Sequence, residues 1–236
     1  MAEPDARAVG LAGSPTARES RTYRSVLMGL RVIGRGIFAF KTAVLGLEHL
    51  PRASDGRPAG GWIAAGLPHR TWVDPFVVAD NLPVEPRLIF FGDGGAILRS
   101  RWRRWLVRRI GGVIPIWPGA GRPAVEARRF GSGLAYFALR TGAPIVPIIL
   151  GGTDELYRRR RFRLEILAPV TWQDLVDAPP GTLRPEPWSS AERRVAHRMT
   201  LALHERTAES VAAAHLATTP KPGMRKRWRW LTSAWH

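Results

Sequence analysis

Short apolar runs alternating with helical patterns constrain this chain more than any other feature it has. "WIAAGL" (62–67), "RLIFF" (87–91), "GVIPIW" (112–117), "PIVPIIL" (144–150) and "FRLEILAPV" (162–170) read as strands. "GLEHLPRASDGRPAGG" reads as a short strand followed by a turn-rich loop, and "DPFVVADNL" as a short helix. Residues 96–110 form a helical pattern with Leu98, Trp102, Trp105 and Leu106 on one side, and 124–140 another, interrupted by Gly131 and Gly133. After a Pro-rich loop, 190–215 reads as a polar helix. Strands alternating with helices predict an α/β fold: one domain with a mixed or mostly parallel sheet flanked by helices. With 236 residues, 45% of them apolar, the chain has material for a substantial core.

Cysteine is absent, which excludes a disulfide framework, a thiolate nucleophile and Cys-ligated zinc. The net charge is +17, almost all of it arginine, and a balance this basic favours polyanionic partners. Trp102, Trp105, Trp228 and Trp230 sit beside arginines, a pairing suited to a membrane–water interface or to stacking on bases. Leu30, Ile33, Ile37, Phe40 and Val44 follow a three-then-four spacing, with Arg24, Arg31 and Arg35 opposite. That pattern predicts an N-terminal amphipathic helix over 21–45 lying on an anionic membrane surface, although helices that pack on their own domain are commoner. Residues 1–20 read as a disordered tail, 46–216 as the α/β domain and 217–236 as a basic aromatic tail. The sequence has no apolar signal core, and Arg31, Arg35 and Lys41 interrupt its only long apolar stretch. The expected location is cytoplasmic, peripheral on the inner face of the cell membrane.

"GLPHRTWVDPF" (66–76) places His69 five residues before Asp74, at the junction of a strand and a helix. On one helix that spacing turns about 140°, so the side chains can meet only if His69 lies in the preceding loop. Asp74 would then fix the imidazole tautomer, leaving the other nitrogen to take a proton from a substrate hydroxyl. The bland alternative is an Asp74 N-cap with Pro75 at the first helical position, or a capping box that starts at Thr71.

The block "LPHRTWVDPF" resembles the N-H-x-S-x-x-D-type motif of the glycerolipid acyltransferase superfamily, the 1-acyl-glycerol-3-phosphate acyltransferases. "GLEHLP" is similar to the strand before that motif, "RRIGGVIPI" to its second block, and "GSGLAYFALRTGAPIVPIILGGT" to the stretch around its valine–proline block, here Val146–Pro147. The resemblance covers about residues 30–170, in order. It implies that His69 is a general base, that Asp74 orients it, and that Thr71 stands where the family has a small hydroxyl residue. Pro68 replaces the motif's asparagine. The implied reaction moves a fatty acyl group from acyl-CoA or acyl-carrier protein, as co-substrate, to a hydroxyl of a lysolipid acceptor. It implies no metal and no bound cofactor.

In two places the chain departs from the family. "IPIWPG" lacks the arginine that closes the second block, and "PGAGRPAVEARRF" (118–130) is too short for the family's helix, strand and F-P-E-G-T-R-type loop. Glu126, Arg128 and Arg129 partly stand in, and Arg70, Thr71, Arg122, Arg128 and Arg129 are the candidate substrate-binding residues. A sheet without that strand is expected to close up, bringing 113–117 beside 145–150, with His69 and Asp74 within hydrogen-bonding distance. A catalytically impaired lipid-surface protein is the second reading. A nucleic-acid binder is the third; no nucleic acid is expected, because charge alone carries it.

Overall fold

The computed structural model describes residues 17–57, 59–68, 74–84, 88, 90–93, 113–116 and 133–219. Helix α1 (Ala17–Arg31) runs into a π-helical turn (Val32–Ile37), then strand β1 (Lys41–Leu45). Strand β2 (Ile63–Leu67) leads to helix α2 (Asp74–Asn81), followed by β3 (Phe90–Asp93) and β4 (Val113–Ile116). Helix α3 (Gly133–Thr141), strands β5 (Ile145–Gly151) and β6 (Arg161–Ile166), and helices α4 (Trp172–Val176) and α5 (Ser190–Ala217) complete the order.

The main sheet has the order β1-β6-β5-β2. β1 and β6 are parallel, β5 and β2 are parallel, and β5 meets β6 antiparallel, so the sheet is mixed as expected. β5 is buried along its whole length, which explains its unbroken apolar sequence. Burying each of its isoleucines and leucines is worth about 1.5–3 kcal/mol relative to exposure. Pro147 is tolerated inside this strand because its carbonyl accepts from Leu167, just beyond the end of β6. Its missing N–H therefore costs a ladder bond only where that neighbour strand has already finished.

Side chains alternate between two cores. Ile63, Ala65, Leu67, Ile145 and Ile149 face α3, α4 and α5, meeting Ala138, Trp172, Met199 and Leu203. Val146, Ile148, Leu150, Leu164 and Ile166 face α2, meeting Val77, Val78 and Leu82. At Gly151 a Cβ would sit 2.6 Å from the Ala214 carbonyl oxygen, so this glycine lets α5 lie against the sheet.

Several expectations need correction. The helix foreseen over 21–45 ends at Ile37; Ala39 takes a left-handed backbone (φ 52), and 41–45 is a strand. That conformation costs a non-glycine residue about 1–2 kcal/mol. The spacing from Phe40 to Val44 is four, which is even, so it fits a strand as well as a helix. Phe40 is in fact stacked on Phe38 and tilted against Phe162, while Val44 packs in the α2-side core. "GLEHLP" is not a strand: Gly46 is left-handed, Leu47–His49 is a 3-10 turn, and a Cβ at Gly46 would collide with the Ile166 carbonyl. "RLIFF" starts its strand late, at Phe90.

The expected closure of the sheet is also overturned. β5 already has β2 on one side and β6 on the other, and β4 pairs instead with β3, parallel, in a separate two-stranded sheet. An all-buried strand needs partners along both edges, and β2 and β6 supply them. The helix expected over 96–110, the first part of that over 124–140 and the tail from 220 lie outside the described residues.

Candidate active site

The candidate site lies at the C-terminal end of β2, where the chain passes through Pro68 into α2. Asp74 opens α2, with Pro75 behind it. Its fixed φ suits Pro75 to the first helical turn, where its missing N–H has no intrahelical acceptor. Asp74 is only 2% exposed. A carboxylate at this end of a helix meets unpaired backbone N–H groups and the positive pole of the helix dipole, which offsets part of the cost of burial.

Three sets of contacts hold the helix that carries Asp74. Val77, Val78 and Leu82 pack on the sheet. On another side, Ala79 and Phe76 meet Tyr23 and Leu27 of α1. At its C-terminal end, Arg31 Nε and Arg35 Nε reach the two Asp80 carboxylate oxygens, at 3.2 and 2.9 Å. The same guanidinium groups donate to the Asp80 carbonyl, at 2.9 and 3.1 Å, and Arg35 also donates to Asn81 Oδ1. These bonds satisfy a helix-end carbonyl and place positive charge at the negative pole of α2. Asn81 closes the end by donating to the Val77 carbonyl at 2.8 Å.

Arg31 and Arg35 were expected on the outer polar face of an interfacial helix. They bond instead to Asp80 of α2, Arg31 partly buried and Arg35 still more than half exposed. Of the expected site residues, Asp74 alone falls within the described residues; His69, Arg70, Thr71, Arg122, Arg128 and Arg129 lie outside them. The expectation that His69 and Asp74 lie within hydrogen-bonding distance falls there too. Among the described residues, no group of three or more His, Cys, Asp or Glu side chains could hold a metal ion.

Sequence reasoning missed two polar clusters, both structural. Arg160 is buried in the β5–β6 loop, donating to the Gly152 carbonyl at 2.8 Å and the Tyr157 hydroxyl at 2.9 Å, and pairing with Asp154. Arg140 of α3 makes a two-pronged pair with buried Glu192 of α5, at 2.9 and 3.0 Å, and lies 3.8 Å over the Trp188 ring. The Arg140 hydrogen bonds, followed by the Trp188 N–H, hold the Glu192 carboxyl below its ordinary range against the opposing effect of burial. Nothing local in the sequence marks the second cluster, because Arg140 and Glu192 are 52 residues apart.

A mixed sheet of this order, with α2 rising from the end of β2 and helices on both faces, is an α/β fold. One solved structure it is similar to is that of the 1-acyl-sn-glycerophosphate acyltransferase PlsC from Thermotoga maritima, at a TM-score of 0.50. That match covers 83% of this chain and 84% of the other, with 16% sequence identity, so the likeness is one of fold. The resemblance read from the sequence thus holds at the level of the fold. No family model and no curated protein matches the chain.

Proposed function

We propose that the chain is an acyltransferase that moves a fatty acyl group from acyl-CoA or acyl-carrier protein to a hydroxyl of a lysophospholipid or related glycerolipid. The observation that carries this reading is a buried Asp74 opening the helix that follows β2, five residues after His69, in a fold shared with a solved acyltransferase. In this reading Asp74 holds one imidazole nitrogen of His69, and the other takes the proton of the acceptor hydroxyl. The acceptor oxygen attacks the thioester carbonyl, giving a tetrahedral oxyanion. The carbon–sulfur bond then breaks, an ester remains, and the departing thiolate takes up the proton held by His69. The donor brings its own leaving group, so the reading calls for no metal and no bound cofactor. Arg70, Thr71, Arg122, Arg128 and Arg129 are the residues assigned to the polar part of the substrates, and the cytoplasmic membrane face is where such acceptors would be met. Among the described residues, no helix is long and apolar enough to cross a membrane.

The shortness of 118–130 favours one second reading, a lipid-surface protein of the same fold with impaired catalysis. Mass spectrometry of products from acyl-CoA and a panel of lysolipids separates the two. Transfer that disappears in His69→Ala supports the enzyme. Absence of transfer to every acceptor, with lipid binding intact, supports the second reading. Lysophosphatidate is expected to be a poor acceptor, because the second block lacks its arginine; rapid turnover of it would show that Arg122, Arg128 and Arg129 replace the lost contact in full.

A further inference from the structure

We infer that the free edge of β1 pairs with the same edge of a second copy of this chain, antiparallel and centred on Ala43. β1 (Lys41–Leu45) ends the main sheet, with β6 on one side and no strand on the other among the described residues. One bond fixes which way its backbone groups face: the Lys41 N–H donates to the Arg160 carbonyl at 3.1 Å. In a parallel ladder alternate residues bond the same neighbour, so Lys41, Ala43 and Leu45 turn their backbone groups to β6. The N–H and C=O groups of Thr42 and Val44 therefore point away from the sheet, and none of them has a backbone partner among the described residues. Such a row of unpaired groups is a template for another strand. β1 has neither a proline nor a bulge to block one, and its one charge is Lys41, at its first position.

Self-pairing is the arrangement this edge fits. Antiparallel pairing about Ala43 sets Thr42 opposite Val44 of the second copy, and Val44 opposite its Thr42. Each such pair exchanges both of its N–H···O bonds, so every outward group of β1 is satisfied. Moving the register by two residues fails in either direction. One shift needs Gly46, which is left-handed (φ 74) rather than extended; the other needs the Phe40 N–H, which already donates to the Gly34 carbonyl at 2.9 Å. On the exposed face, Ala43 meets Ala43 of the second copy at a non-hydrogen-bonded position, where Cα atoms lie only about 4.5 Å apart and a methyl group fits. Lys41 lies across from Leu45 of the second copy, a residue 44% exposed, and its stem covers that leucine. Its ammonium then reaches toward Glu165, the neighbour of Leu45 on β6. An edge lysine commonly blocks strand addition. Here the antiparallel register keeps the two lysines about 13 Å apart along the strand and gives each a carboxylate. A parallel copy would set lysine beside lysine, and an unrelated extended peptide would lack the charge match. A five-residue edge buries less than the roughly 1,600 Å² of a standard interface, so the dimer is one that dissociates on dilution.

The inference does not depend on acyl transfer, because self-association requires no turnover. The test is sedimentation velocity of the full chain over a range of concentrations, joined to cysteine crosslinking. The parent protein is expected to pass from monomer to dimer as concentration rises. Thr42→Pro removes an N–H that faces the second copy and leaves the ladder to β6 intact. It should raise the dissociation constant roughly tenfold, since two bonds of the symmetric pair are lost. Ala43→Lys sets like charges opposite each other and should raise it roughly fivefold or more. Both variants should melt within a few degrees of the parent. The chain has no cysteine, so Ala43→Cys carries its only thiol, at the two-fold axis and within the Cα separation a disulfide spans. Diamide, taking up the two thiol hydrogens, should link that variant into a covalent dimer. Leu201→Cys, at an exposed position on α5, should crosslink far more slowly. A parent that stays monomeric at every concentration overturns the inference and leaves the edge to an extended segment of another protein. A dimer that survives Ala43→Lys, or equal crosslinking of the two cysteine variants, overturns it by placing the interface elsewhere. Should Thr42→Pro fail to fold, the two Ala43 variants, changed only at an exposed position, decide alone.

Discussion

The two faces of the main sheet are built differently. On the face covered by α3, α4 and α5, caps and an ion pair close the layer. Thr171 and Asp174 cap α4 reciprocally, Ser189 caps α5, and the Arg140–Glu192 pair ties α3 to α5. The face covered by α2 and α1 carries a π turn, a left-handed Ala39 and a buried aspartate at a helix start, whereas the left-handed residues of the other face, Asp177 and Trp188, sit at helix ends. In the function proposed above, one layer serves as the scaffold and the other carries the catalytic pair, a division expected where function draws on the less uniform parts of a fold.

That contrast can be broken from either side. The largest expected effect is on the α2 side. His69→Ala should lower acyl transfer by ~10²–10⁴-fold with no change in melting temperature, because a general base contributes to the rate and not to packing. A variant that turns over like the parent removes His69 from the chemistry.

Next comes a stability effect on the opposite face. Glu192→Ala leaves the Arg140 guanidinium, about one-third exposed, without its partner and the Trp188 N–H without its acceptor. The expected loss is about 3 kcal/mol, or a fall of roughly 6–12 °C in melting temperature, measured by calorimetry. Specific activity per folded molecule should be unchanged. A melting temperature within a degree of the parent would mean that the pair is only a surface contact.

Asp80→Ala tests whether the faces are independent. It frees Arg31 and Arg35 from the end of α2, with an expected cost of about 1–2 kcal/mol. Because α2 carries Asp74 at its other end, kcat should fall several-fold while the other face stays intact. Unchanged kcat would show that the sheet contacts of α2 suffice to place Asp74.

The smallest effect is in acid. Thr171 hydrogen bonds lower the Asp174 carboxyl, with Arg206 adding a smaller push, and the Arg140 bonds lower Glu192, from ordinary values of 3.8 and 4.5. A carboxyl whose folded pKa lies below its unfolded one stabilises the fold fully above the unfolded value, and that stabilisation is lost as pH falls through the folded one. Urea midpoints should therefore be flat above about pH 5.5 and drop below pH 4. Thr171→Ala and Glu192→Gln should each flatten the drop; a slope identical to the parent's would place the acid sensitivity elsewhere.

Much of the sheet was legible because its strands carry unbroken or alternating apolar residues that no loop would keep. "PIVPIIL" announces an interior strand, since only burial on both faces accounts for such a run, and "WIAAGL" the half-buried strand that pairs with it at the end of the sheet. The start of α2 was legible for a similar local reason, Asp74–Pro75 being suited to a first helical turn. The end of α1 was not, because the four-residue step from Phe40 to Val44 serves either a helix face or one side of a strand. Of the candidate site, the order of His69 and Asp74 could be read; the burial of Asp74 could not.

By itself, the sequence determined the α/β class, the strand–helix alternation and the order of a histidine and an aspartate at one junction. These depend on periodicity and composition over a few residues, and such signals survive in one dimension. The tertiary structure decided which strands became neighbours: β5 took β2 and β6, leaving β4 to β3. It also decided what Arg31 and Arg35 bind, because their acceptor, Asp80, lies 49 and 45 residues away along the chain. Partner choice over such distances is set by what the packed core brings within a few ångströms, and no local pattern records it.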